Sequence, residues 1–125
     1  MLAAAVIRHF YPAVEMGELL RSFAGARLIG RFWKVEEGVY ADIAHNYEKI
    51  NALTGEIRTQ FGDAGKILIL GMSGKRLPAK IFGALAAMAK TIIITGASYK
   101  GLDPGKVAAE VTPLAGDTPT LVVAD

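Results

Sequence analysis

"KILILGMSGKRLPAKIFGALAAMAKTIIITGAS", Lys66 to Ser98, decides how the chain is built. Both ends of the stretch are short, continuously apolar and rich in β-branched residues, which marks strands buried in a sheet. Between them "PAKIFGALAAMA" carries apolar residues at helical spacing behind Pro78, whose fixed φ suits a first turn. A strand, a helix and a strand within roughly 30 residues form a βαβ unit. Such a unit is right-handed, with its strands parallel.

The alternation continues on both sides. Downstream, "DPGKVAAEVTPLA" reads as a helix with Asp103 as its cap and Pro104 in its first turn, and "TPTLVVAD" as a third buried strand. Upstream, "NYEKINALTGEIRTQF" places Ile50, Leu53, Ile57 and Phe61 on one helical stripe, with Asn46 as N-cap. "RFWKVEEGVYADIA" reads as two strands around a turn at Glu37 and Gly38, with Trp33 covering the sheet edge. "LAAAVIRHF" and "AVEMGELLRSF" are short helices parted by Pro12, which starts the second. The expected fold is α/β: a Rossmann-like, mostly parallel sheet covered by helices, with an antiparallel edge hairpin near the N-terminus.

Composition narrows the function classes. At 125 residues, 52% hydrophobic and 21% charged, the chain is one globular domain rather than a disordered segment. No apolar run approaches the ~20 residues of a membrane span, so no membrane insertion is expected. The formal charge is +2, with Lys and Arg scattered from Arg8 to Lys106, which argues against nucleic acid as a partner. The absence of cysteine rules out disulfides and thiolate metal sites and fits a cytoplasmic location. The opening "MLAAAVIRHFYPAVE" lacks a basic leader and reads as a helix of the fold. An uncapped first helix and a last strand with nothing packed after it suggest a piece of a longer chain.

Three places could carry chemistry. Asp42, His45 and Asn46 fall between a strand and a helix, where doubly wound sheets gather ligands. They could equally serve structure, with Asn46 capping, His45 packing beside it and Asp42 tying down the turn. "GMSGKR", Gly71 to Arg76, resembles a phosphate loop, but only two residues separate Gly71 from the Gly74-Lys75 pair, where a P-loop needs four. "GASYKG" follows the next strand, and Ser98, Tyr99 and Lys100 could address an anionic group, or Lys100 could simply be solvated. His9 and His45, far apart and without thiolates, make no metal set. No Gly-x-Ser-x-Gly elbow supports a hydrolase.

Taken in order, Gly30-Arg31-Phe32, Asp42-Ile43-Ala44-His45-Asn46, a helix, "ILILGMSGKRLP", "IIITGAS" and "DPGKVAAEV" closely resemble the C-terminal glutamate-ligase domain of the Mur ligase superfamily. That superfamily includes folylpolyglutamate synthase, and the resemblance runs from about Leu19 to Asp125. It implies an ATP-dependent amide ligase that converts a carboxylate into an acyl phosphate, which the amine of an amino acid then attacks. It also implies a central ATPase domain in the same polypeptide, binding most of the ATP and Mg2+, and a mobile C-terminal domain that closes over the nucleotide.

Carried over by residue, Arg31, Asp42 and His45 would be catalytic, with Arg31, Asp42 and Asn46 addressing the nucleotide. Ser98, Tyr99, Lys100 and Lys75 would receive the amino acid, and no metal ligand is implied in this domain. Residues 1–25 would be the tail of the preceding domain and 26–125 the ligase domain, cut short at its C-terminus. Tyr47 replaces the family's usual proline, and "SGKR" stands where folylpolyglutamate synthases typically have Asp-Lys-Asp. Because "GMSGKRLP" is similar to a Mur-type pattern ending in Lys-Arg-Pro, a peptidoglycan precursor is favoured over folate as the acceptor.

The isolated chain, lacking a P-loop and magnesium ligands, is expected to be inactive. The alternatives are a non-catalytic stand-alone binding module of the same fold and a free-standing phosphate-binding protein using "GMSGKR".

Overall fold

The computed structural model describes residues 2–25, 28–62, 64–74 and 76–124. They fall into two compact units, divided between Asp42 and Ile43.

The first unit holds helices α1 (Leu2–Phe10) and α2 (Met16–Ala24) and the hairpin β1 (Trp33–Glu36) and β2 (Val39–Ala41). α1 and α2 pack on each other, with Ala4 and Leu19 buried. The second helix starts later than its sequence suggests. Pro12 sits in a turn, closed where the Val14 N–H donates to the Tyr11 carbonyl at 3.1 Å, and Glu15 occupies the N-cap position without a side-chain bond. Proline's fixed φ serves a tight turn as well as a first helical turn. The hairpin is antiparallel and reverses at Gly38, whose φ of 75° is left-handed. β1 begins at Trp33, so Arg31 and Phe32, expected in the strand, belong to the turn before it.

The second unit contains α3 (Tyr47–Phe61), β3 (Lys66–Leu70), α4 (Pro78–Ala86), β4 (Ala89–Thr95), α5 (Pro104–Val111) and β5 (Thr120–Val123). β3, β4 and β5 form a parallel sheet in that order, with Ile69 opposite Ile93 and Ile94 opposite Val122. A tight helical turn at Thr112–Leu114 continues α5, and Pro113 ends it by removing an N–H. The core lies between the sheet and the helices: Leu70, Ile92 and Ile94 from strands, Ile50, Ile81, Phe82, Leu85, Val107 and Val111 from helices. Ile92, Ile94, Val107 and Val111 are fully buried, each stabilising the fold by about 1.5–3 kcal/mol.

The strands were expected to be buried, and the sheet is covered on one face only, incompletely at β5, where Val122 opposite Ile94 is half exposed. Ile67 and Ile69 are 67% and 69% exposed, and Leu121 and Val123 on the same face are about half exposed. The reason is topological. Successive right-handed crossovers that advance in one direction along a sheet place their helices on the same side. Among the described residues no helix is long and apolar enough to cross a membrane.

Ile92→Ala should therefore cost about 2–5 kcal/mol of unfolding free energy, and Ile69→Ser on the open face about 1 kcal/mol or less. Urea denaturation of the 125-residue chain checks this; equal losses would contradict a one-faced core.

Candidate functional site

In the first unit Arg31 stands between two left-handed residues, Gly30 at φ 76° and Phe32 at φ 41°. Its own N–H donates to the Leu28 carbonyl at 3.0 Å, closing the turn. Glycine takes this conformation readily, but for a bulky side chain it is an outlier costing about 1–3 kcal/mol. Two contacts offset that cost. The Phe32 N–H donates to Asp42 Oδ2 at 2.7 Å, a short charge-assisted bond, and the Phe32 ring stacks on Tyr40 with centroids 5.0 Å apart.

Asp42 Oδ1 also lies 3.9 Å from Arg31 Nη1. The Asp42 side chain is 13% exposed and that of Arg31 38%, so the carboxylate is enclosed while the guanidinium reaches solvent. Asp42 thus ties down the turn at Arg31 and Phe32, ten residues before it, rather than the strand-to-helix turn in which it stands. The left-handed Phe32 has no signal in the sequence.

At the start of the second unit, Asn46 caps α3, its Oδ1 accepting from the Lys49 N–H at 3.0 Å. His45 Nδ1 lies 2.9 Å from the Ile43 carbonyl, which can only accept, so Nδ1 carries the proton. Nε2 is then an acceptor, and the Lys49 ammonium donates to it at 3.3 Å. Lys49 went unnoticed in the sequence, although it lies one helical turn beyond His45. α3 packs on α4, which follows β3 in the chain. The carboxyl ends of β3 and β4 form the edge where such sheets gather ligands.

At that edge the loops after β3 and β4 are laced together. Ser73 and Gly101 form an antiparallel bridge, the Leu102 N–H donates to the Met72 carbonyl at 2.8 Å, and the Gly74 N–H to the Lys100 carbonyl at 3.4 Å. A Cβ on Gly101 would overlap the Ala97 carbonyl, which makes glycine obligatory there. Lys100 is left-handed at φ 58°, and its ammonium sits 4.9 Å from the centre of the exposed Tyr99 ring, a cation–π contact. Ser98 is exposed beside them. Lys75 lies outside the described residues.

Two contacts weigh against an independent phosphate loop at "GMSGKR". Arg76 Nη1 donates back to the Ser73 carbonyl at 2.7 Å, and Glu110 of α5 accepts from the Ala79 N–H at 3.3 Å, placing a carboxylate against the first turn of α4. An anion there would meet negative charge where the helix end would otherwise attract it.

The structure thus pairs Arg31 with Asp42, sets His45 and Asn46 together at the start of α3, and holds Ser98, Tyr99 and Lys100 on one anchored loop. The model of the family "Mur ligase, glutamate ligase domain" matches residues 30–125. The chain belongs to this family. No curated protein matches its sequence.

Among solved structures, Mycobacterium tuberculosis folylpolyglutamate synthase complexed with ADP is similar at 21% identity over 98% of this chain and 28% of that one, with a TM-score of 0.85. Helicobacter pylori folylpolyglutamate synthetase is 21% identical over 98% of this chain and 32% of that one, with a TM-score of 0.71. The bifunctional folylpolyglutamate synthase/dihydrofolate synthase of Yersinia pestis, complexed with AMPPNP and Mn ion, is 20% identical over 80% of this chain and 28% of that one, with a TM-score of 0.60. At these identities the likeness is one of fold. The chain spans 28% to 32% of the length of these three structures.

The nucleotide and the metal implied by the Mur ligase family fit this domain unequally. Arg31 suits a phosphate: a guanidinium has five N–H donors in a planar fork, and Asp42 faces one of its nitrogens at 3.9 Å. Among the described residues no three His, Asp or Glu side chains come together.

The cap is the part of this site most directly open to measurement. Asn46→Ala should lower stability by about 1 kcal/mol and Asn46→Asp by much less, read from chemical denaturation of the 125-residue chain. No loss in Asn46→Ala would contradict the cap.

Proposed function

We propose that this chain is the C-terminal domain of an ATP-dependent amide ligase, which joins an amino acid to a carboxylate through an acyl phosphate. The observation that carries this reading is the strained turn at Arg31: a guanidinium held toward solvent on a backbone pinned by an enclosed carboxylate. Membership of the Mur ligase family supports it.

ATP supplies the phosphoryl group that activates the carboxylate. Developing charge on that group needs a fixed cation, and a pre-oriented guanidinium provides one at little reorganisation cost. Arg31 has this role, and Asp42 sets its direction and borders the nucleotide. His45, its tautomer fixed by Ile43 and its Nε2 held by Lys49, lines the nucleotide side with Asn46. Asn46 uses its Oδ1 for the cap, and its amide N–H groups would donate to a ligand.

Ser98, Tyr99 and Lys100, with Lys75, receive the incoming amino acid, whose carboxylate suits the Lys100 ammonium. Mg2+ and most of the ATP belong to a central ATPase domain of the same polypeptide. Residues 1–25 are the tail of that domain and 26–125 the ligase domain; the family match beginning at residue 30 supports this division.

Folate polyglutamates now stand ahead of peptidoglycan precursors as the acceptor. The similar structures are folylpolyglutamate synthases, one complexed with ADP and one with AMPPNP and Mn ion, and none supports the cell-wall preference drawn from "GMSGKRLP".

In the polypeptide that carries this chain, Arg31→Ala should lower amino-acid-dependent ATP turnover by about 100-fold or more, with the unfolding midpoint nearly unchanged. Equal turnover would overturn the assignment. The 125-residue chain alone should show no such turnover, and activity there would contradict the division of labour between domains.

A further inference from the structure

The left-handed backbone at Phe32 decides where Arg31 points. Were Phe32 to relax from φ 41° to an ordinary negative φ, the chain on its N-terminal side would rotate by about 100° about one bond. Arg31 would swing with it. Tyr40 and Asp42 oppose this, and their spacing shows how. Tyr40 is the middle residue of β2 and Asp42 follows directly after the strand, two positions beyond Tyr40, so in an extended chain both side chains lie on one face. From that face Tyr40 meets the ring of Phe32, at 5.0 Å and 23° between planes, while Asp42 accepts from its N–H at 2.7 Å. One residue is therefore held at both its side chain and its backbone.

We propose that Phe32 and Tyr40 are positioning residues for Arg31, the stacked rings locking the left-handed turn that aims the guanidinium at an anionic ligand. Neither ring need touch that ligand. The inference rests on the reading of Arg31 as the phosphate-facing group, and its specificity lies in stacking: Phe at position 40 preserves it and Leu does not.

The test is a double-mutant cycle in the polypeptide that carries this chain, combined with NMR of the 125-residue chain. Tyr40→Leu should lower turnover about 10- to 100-fold, the scale of a misdirected catalytic group, and Tyr40→Phe should restore it. In the Arg31→Ala background Tyr40→Leu should cost nothing more, because it acts through Arg31. The Arg31 Nε–Hε resonance should be sharp and distinct in the wild type and Tyr40→Phe, and collapse to the averaged position of solvated arginines in Tyr40→Leu.

Wild-type turnover in Tyr40→Leu, or an equal further loss in the Arg31→Ala background, overturns the proposal while leaving the function of Arg31 standing. A silent Arg31→Ala removes that function instead, and the Nε–Hε signal then decides: unchanged in Tyr40→Leu, it overturns the positioning role. If Tyr40→Leu loses the hairpin altogether, Phe32→Gly replaces it, because glycine keeps the left-handed backbone accessible and lacks the ring. The same signal collapse in Phe32→Gly supports the proposal, and a sharp wild-type signal refutes it.

Discussion

Parallel pairing of β4 with both β3 and β5 is the constraint from which the second unit follows. Parallel neighbours cannot be joined by a tight turn, so each connection must cross the sheet, and a helix is the economical crossing. Handedness then puts α4 and α5 on one face, where Ile92 and Ile94 of the central strand meet Val107 and Val111 of α5 without solvent. The same pairing brings the carboxyl ends of β3 and β4 side by side. Their loops lie close enough for Ser73 to bridge Gly101, which anchors the loop that displays Tyr99 and Lys100. Packing and candidate site in this unit are thus two results of one topology.

The first unit relies on a different device. Its hairpin is short, and β1 is exposed along its length, so little burial holds it. Order at Arg31 comes instead from a strained backbone satisfied on two sides, by a carboxylate and by a ring. Strain of this kind survives where the surroundings over-determine it, and such places concentrate at functional sites. Under the proposed reading, a guanidinium carried on a pinned backbone would meet a phosphate with less freedom to lose, which is the advantage of pre-organisation in phosphoryl transfer.

Features that depend on neighbours in the chain were legible in the sequence. Asn46 and Asp103 cap their helices because a short polar side chain reaches an N–H three residues ahead, and Gly38 turns the hairpin because glycine accepts φ 75°. Of the stripe Ile50, Leu53, Ile57 and Phe61, the first three pack in or against the core as their spacing implied, and Phe61 is not part of that cluster. What escaped depends on residues far apart or on conformation without a residue signature. Glu110 reaches Ala79 from another helix, and Phe32 adopts a backbone that its side chain disfavours. The apolar runs of β3 and β5 could not reveal that one face stays open, since a run apolar on both faces carries no record of which is covered. Arg31 and Asp42 were marked by resemblance, but their mutual geometry needed the structure.

The most direct measurement is hydrogen exchange at the Phe32 amide, in the wild type and in Asp42→Ala. Slow exchange in the wild type, lost in the variant while the amides of Ile92 and Ile94 stay protected, is the result expected if Asp42 pins the turn beneath Arg31. Fast exchange at Phe32 in the wild type, or equal protection in both proteins, would contradict it.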